Sequence, residues 1–214
     1  MREMRYDLYV ITDETLSKGL SHAQIAERAI AGGADAIQLR DKKRSPRALL
    51  EVAQVIREIT KEAGVAFLVN DSVEVALASG ADGVHIGQGD LPLEAARRIS
   101  PAGFIIGASA GCVHEAVLAE REGADYVALG PIFATASKTD IGPLCGLDML
   151  RETRKAVSIP LVAIGGIGTH NVAEVIAAGA DGVAVISAVS GQVDVAKAAQ
   201  ELKAIVTRAK AREP

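Results

Sequence analysis

The stretch "AGGADAIQLRDK", Ala31–Lys42, links the end of a helix-like segment to a short apolar run, and its centre recurs along the chain. Gly-Ala-Asp stands at Gly33–Asp35, Gly80–Asp82, Gly123–Asp125 and Gly179–Asp181, so the first glycines lie 47, 43 and 56 residues apart. Each copy follows a helical pattern ("IAERAIAG", "VEVALAS", "HEAVLAERE", "VAEVIAA") and precedes an apolar run ("AIQLR", "GVHIG", "YVALG", "GVAVI"). A glycine there accepts the left-handed cap that ends a helix, and a strand begins at once. Between these four strands lie four more, "DLYVIT", "AFLVND", "FIIGAS" and "LVAIGG". All eight are short and apolar on both faces, as in a parallel sheet covered by helices. The intervening segments read as helices; "SPRALLEVAQVIREITKEAG" carries Pro46 in its first turn.

Eight strand–helix units in 214 residues, without a linker or low-complexity tract, predict an α/β protein. Its expected architecture is a (β/α)8 TIM barrel, one domain over residues 1–214, with two units per repeat. A doubly wound open sheet is the alternative, and a four-fold repeat of paired units does not arise naturally from it.

Composition narrows the function. Hydrophobic residues make up 49% of the chain, enough for a substantial core. The net charge is −4 and the only basic block is Lys42-Lys43-Arg44, which argues against a nucleic-acid surface. Cys112 and Cys145 lie apart without a CxxC or Cys/His context, so neither a disulfide nor a zinc site is expected. The start, "MREMRYDLYV", lacks a signal-peptide core, and no run approaches the ~20 apolar residues of a membrane span. A cytoplasmic protein is expected, with no membrane partner.

In a barrel of this kind the active face is formed by the C-terminal strand ends. Here those ends are polar: Thr12-Asp13, then Gln38-Leu39-Arg40-Asp41-Lys42, Asn70-Asp71, His85 with Gln88 and Asp90, and Ser109. Strand seven closes on Gly165-Gly166 and strand eight on Ile186-Ser187, where backbone N–H groups can approach a phosphate; tight turns are the plainer reading. Asp71 and Asp90 are short carboxylates on neighbouring strand ends, suited to a magnesium ion or, alternatively, to capping the helices that follow. Arg40 and Lys42 can clamp a diphosphate or simply be solvated charges. His85, inside an apolar strand, reads as a core or hydrogen-bonded histidine, and His22, His114 and His170 read as surface or cap residues. No Ser/His/Asp or Cys/His pairing stands out, which argues against acyl transfer. Strand six opens a long loop, "YVALGPIFATASKTDIGPL" (Tyr126–Leu144), whose hydroxyls, lysine and Gly-Pro pairs exceed what a connection needs.

Over nearly its whole length the chain resembles the thiamine-phosphate synthases. The motifs that carry the likeness are "QLRDK", "VNDSVEVALASGADGVHIGQGDLP", the Thr/Ser loop ending in Lys138, a relaxed "GPL-GL" and "VAIGGI". The resemblance implies condensation of a hydroxymethylpyrimidine diphosphate with a thiazole phosphate, releasing pyrophosphate with Mg2+ as cofactor. It places Gln38, Leu39, Arg40, Asp41, Lys42, Asn70, Ser109 and Lys138 around the pyrimidine diphosphate. Arg40, Lys42, Lys138 and Ser109 are the expected catalytic groups, and Asp71 and Asp90 the metal ligands. Thr135, Ala136, Ser137, Gly166, Ile186 and Ser187 are assigned to the thiazole phosphate. The partners implied are small molecules; a homodimer is left open.

Three positions depart from the family pattern: Asp41 for the usual Glu, Ser137 for a second Thr, and Gly111 where relatives often have a histidine. That histidine carries proton transfer in the sister thiazole tautomerases, so Gly111, together with Gln88, Asp90 and Lys138, turns the reading away from them. A phosphate-ligand sensor on the same barrel would not need two carboxylates and three cations around a leaving group.

Overall fold

A computed structural model describes residues 6–135, 137 and 142–211. Lys138 and Ala136 lie outside the described residues. The strands are β1 (Leu8–Thr12), β2 (Ala36–Leu39), β3 (Ala66–Asn70), β4 (Gly83–Ile86), β5 (Ile105–Ala110), β6 (Tyr126–Leu129), β7 (Leu161–Ile164) and β8 (Gly182–Val185). Each is followed by a helix: α1 (His22–Ala31), α2 (Pro46–Ala63), α3 (Val73–Ser79), α4 (Leu93–Ile99), α5 (Val113–Arg121), α6 (Gly146–Ala156), α7 (Val172–Ala177) and α8 (Val195–Lys210). Every strand pairs in parallel with the next, and β8 pairs with β1 to close the barrel. The expected TIM barrel is what forms. No helix among the described residues is long and apolar enough to cross a membrane.

Local chemistry fixes the boundaries. Ser21 accepts from the Gln24 N–H while the Gln24 side chain accepts from the Ser21 N–H, a capping box that starts α1. Ser45 caps α2 with Pro46 at its first position. The glycines of all four repeats hold positive φ, between 68° and 101°, the region in which a β-carbon is strained.

The repeated aspartates have a role that their spacing alone did not reveal. Asp35 accepts the Leu8 N–H and pairs with Lys203; Asp82 accepts the Phe67 N–H and pairs with Arg57. Asp125 accepts the Ile106 N–H and pairs with Arg97; Asp181 accepts the Leu161 N–H and pairs with Arg154. Each carboxylate therefore ties the start of an even strand to the start of the preceding odd strand and to an even-numbered helix. These four clamps sit on the N-terminal face, away from the polar strand ends. The cations were legible as charges on helices, but not as partners, because only the closed barrel brings α8 back to Asp35.

Two apolar layers hold the structure. The outer one fills the space between strands and helices and includes Ile37, Leu39, Ile56, Phe67 and Leu129. The inner one fills the barrel with Tyr9, Ile11, Leu68, Tyr126, Val162 and Ile186. Tyr126 fits because Gly107, its register partner on β5, has no side chain; a β-carbon there would overlap the Tyr126 ring. Two expectations change at this level. Leu39 belongs to the outer layer, so its side chain faces the helices and cannot touch a ligand at the strand ends. His22 is not at the surface: it is 1% exposed, hydrogen-bonded to the Thr12 hydroxyl at 2.7 Å and to Asp41 at 3.3 Å. Only His114 and His170 are exposed.

Candidate active site at the strand ends

A cavity of about 690 Å3 opens over the C-terminal strand ends. Arg40, Lys42, Asn70, Asp71, Asp90 and Ser109 line one part of it. Thr135, Ser137, Gly166, Ile186 and Ser187 line another. The structure thus gathers residues from β2 through β8 on one face.

The two carboxylates are the most charged feature. The Asp71 carboxyl is pushed up to about 6, first by burial and then by the neighbouring Asp90; Lys42 and Arg40 oppose the shift. The Asp90 carboxylate also accepts the Gly87 N–H at 2.7 Å. Asp71 holds φ at +63°, strained for a residue with a side chain, and its N–H donates to the His85 carbonyl at 2.8 Å. Neither aspartate caps a helix: Ser72 is the N-cap of α3 and Pro92 that of α4, both without a side-chain cap bond. Two neighbouring carboxylates are a donor set that a hard divalent cation satisfies. Lys42 Nζ lies 4.0 Å from Asp71, and the Arg40 guanidinium lies 3.7 Å from Asp13.

A pH effect follows. Asp71 ionises in the folded protein at about 6, above the ordinary 3.8, so between those values the folded state keeps a proton that the unfolded chain has lost. Stability of the metal-free protein from this group is therefore highest in acid and falls as pH rises through about 6. Thermal melts in chelator from pH 4 to pH 6.5 should show that decline, and Asp71→Asn should flatten it. An identical pH slope in the variant would contradict the assignment.

Asp41 is turned to other work. Burial alone would raise its carboxyl, but the Lys43 N–H, His22 and the Arg44 N–H outweigh it and hold the group below its usual range. Its carboxylate also pairs with the Arg44 side chain at 2.9 Å, and Arg44 pairs with Glu14 at 2.7 Å. Glu14, His22 and Asp41 lie within 4.8 Å of one another, yet Arg44 already supplies the positive charge that two carboxylates require. Asp41 does not line the cavity. The Asp41 carboxylate thus holds the turn after β2.

Gln38 is also below the cavity wall: it is 1% exposed, and its amide N–H donates to the Tyr9 hydroxyl at 2.8 Å. Its oxygen is buried with no hydrogen-bond partner among the described residues. His85, read as a hydrogen-bonded histidine, bonds the Tyr126 hydroxyl at 2.8 Å and the Ser109 hydroxyl at 2.9 Å. On the opposite side, Gly165 and Gly166 hold φ of 99° and 65°. A β-carbon on Gly166 would collide with the Ala134 carbonyl and with Phe133, so only glycine lets the loop after β6 close on β7. The Ser137 hydroxyl donates to Ser187 Oγ at 3.0 Å, joining that loop to the end of β8.

Residues 8–189 match the family model for thiamine monophosphate synthase. The chain belongs to that family. It is 62% identical over 205 residues to the thiamine-phosphate synthase of Methanocella arvoryzae, covering 96% of this chain and 97% of the relative. It is likewise 62% identical over 208 residues to the thiamine-phosphate synthase of Methanoculleus marisnigri, covering 97% and 99%. Among solved structures, the thiamine phosphate pyrophosphorylase from Pyrococcus furiosus superposes with a TM-score of 0.89 at 44% identity, covering 96% of this chain and 98% of the other. Membership makes the protein a transferase of thiamine synthesis. Of the polar motif residues, Arg40, Lys42, Asn70, Asp71, Asp90 and Ser187 face the cavity, while Gln38 and Asp41 do not.

Proposed function

We propose that this chain joins 4-amino-2-methyl-5-(diphosphooxymethyl)pyrimidine to a thiazole phosphate, giving thiamine phosphate and pyrophosphate. The observation that carries the reading is the cavity itself: two cations and an abutting carboxylate pair on one side, a glycine–serine cradle on the other. That division suits one ligand with a leaving diphosphate and a second with a single phosphate.

Breaking the C–O bond to diphosphate builds negative charge on the leaving group. Arg40 offers a planar fork and Lys42 a point charge to its oxygens. Asp71 and Asp90 would hold Mg2+, which when bound offsets the same charge. Asn70 and Ser109 orient the pyrimidine, whose amino group feeds electrons into the ring and lets a benzylic-type cation form. The thiazole nitrogen captures that cation, so no protein nucleophile is required and positioning does the rest. Gly166, Ile186 and Ser187 hold the thiazole phosphate, with Thr135 and Ser137 on its ring side. The family resemblance assigns Lys138 to the diphosphate, and excluding water from the site would keep it from trapping the cation.

The test is direct: incubate the protein with magnesium and both substrates, then look for thiamine phosphate and pyrophosphate by mass spectrometry. Isomerised thiazole without pyrophosphate would replace this reading with that of a tautomerase. Lys138→Ala should slow pyrophosphate release by at least about tenfold, equivalent to ~1.4 kcal/mol of transition-state stabilisation. Thiazole-phosphate binding, measured by calorimetry, should change far less. Normal turnover in that variant would remove Lys138 from the site.

A further inference from the structure

A buried chain of hydrogen bonds runs under the cavity from β2 to β5. Gln38 Nε2 lies 2.8 Å from the Tyr9 hydroxyl, which lies 3.0 Å from the Tyr126 hydroxyl. Tyr126 lies 2.8 Å from His85 Nδ1, and His85 Nε2 lies 2.9 Å from Ser109 Oγ. The first four members are 6% exposed or less, and only Ser109 and the edge of His85 reach the cavity. Burial raises both tyrosines well above their ordinary value, so each remains a neutral hydroxyl with one proton to give.

One proton per hydroxyl gives the chain a direction. With the Gln38 amide donating to Tyr9, the Tyr9 proton points to Tyr126, and the Tyr126 proton to His85 Nδ1. His85 then carries its hydrogen on Nε2 and donates it to Ser109. The Ser109 proton is left for the cavity. Turning the Gln38 amide over would reverse every bond, but it would leave both amide N–H groups without described partners. Orphaned N–H groups are rarer than orphaned carbonyls. The geometry is held by the walls: His85 stacks on Tyr126 at 5.6 Å and 26°, and Tyr9 meets Tyr126 edge-on at 6.0 Å.

We infer that Tyr9 and Tyr126 are positioning residues that transmit the hydrogen-bond polarity of Gln38 through His85, fixing Ser109 as a donor to an acceptor atom of the pyrimidine diphosphate. The inference rests on the reading of Ser109 as a pyrimidine contact. It also accounts for an apolar barrel interior containing two tyrosines and a glutamine where leucines would pack.

The experiment has two arms. In nitrogen-15 spectra of the free protein, the ring signals lost in His85→Gln identify His85, which should be the Nε2–H tautomer. Tyr126→Phe removes the donor to Nδ1, and the Nδ1–H tautomer should become populated. In steady-state kinetics, Tyr126→Phe and Ser109→Ala should each lower kcat/KM for the pyrimidine diphosphate by at least about tenfold. The double variant should be little worse than Ser109→Ala alone, because both act through one hydroxyl. A purely packing role for Tyr126 predicts losses that multiply, and that result would overturn the inference. So would an Nδ1–H tautomer in the unmodified protein, which decides the matter even if Tyr126→Phe does not fold. The expected tautomers with no thiamine phosphate formed would support the polarity and count against the proposed reaction.

Discussion

Asp71→Asn should lower thiamine phosphate formation by at least about a hundredfold, ~2.7 kcal/mol of transition-state stabilisation, and weaken its response to magnesium. The substitution isolates charge. Asp71 sits at φ +63°, a region that asparagine tolerates as readily as aspartate, so the turn after β3 keeps its shape. What disappears is a carboxylate that burial, and then the neighbouring Asp90, push up to about 6. A magnesium titration of initial rates reads the effect directly, with Asp90→Asn as the companion. Unchanged rates and an unchanged titration in both variants would end the metal assignment.

Gly107→Ala should destabilise the fold by about 2–3 kcal/mol, an overpacking cost, and lower Tm by roughly 5–10 °C for a domain of this size. The added methyl would overlap the ring of Tyr126, which is 0% exposed and packed against Tyr9, Tyr6 and His85. The ring cannot retreat, since Ala128 and Val162 occupy the same interior layer. Differential scanning calorimetry measures the shift; a Tm within about 2 °C of the unmodified protein would show that the interior yields more readily than close packing implies.

The barrel could be read from the chain because its signals are local. Glycines at helix ends, apolar runs four to six residues long and a repeated tripeptide all report on neighbours in sequence. The face that would carry polar groups was legible for the same reason: Arg40, Asp71, Asp90 and Ser109 all fall at the C-terminal ends of predicted strands, and the structure gathers them in one cavity. What was hidden depends on partners far away in sequence. His22 looked like a helix-start residue until Thr12 and Asp41 enclosed it. Leu39 lies inside the "QLRDK" motif, but strand alternation turns its side chain to the helices while Gln38 faces the barrel. Asp41 carries the same charge as the family's glutamate, and only the Arg44 and His22 contacts reveal that it shapes a turn. The Tyr9–Tyr126 pair, 117 positions apart, gave no signal beyond two aromatic residues in apolar strands.

The aspartate clamps bear on how the chain is born. Three of them, at Asp82, Asp125 and Asp181, recruit cations from helices already synthesised when their strands appear. The fourth does not: Asp35 waits for Lys203, and Asp7 waits for Lys203 and Lys210, nearly the whole length of the chain later. The β1–β8 seam waits with them. A ribosome therefore releases an arc of strands whose first edge lacks its barrel partner until β8 clears the exit tunnel. Between emergence of β1 and of β8 that strand edge is open to pairing with other chains, and the interval's length is set by translation speed.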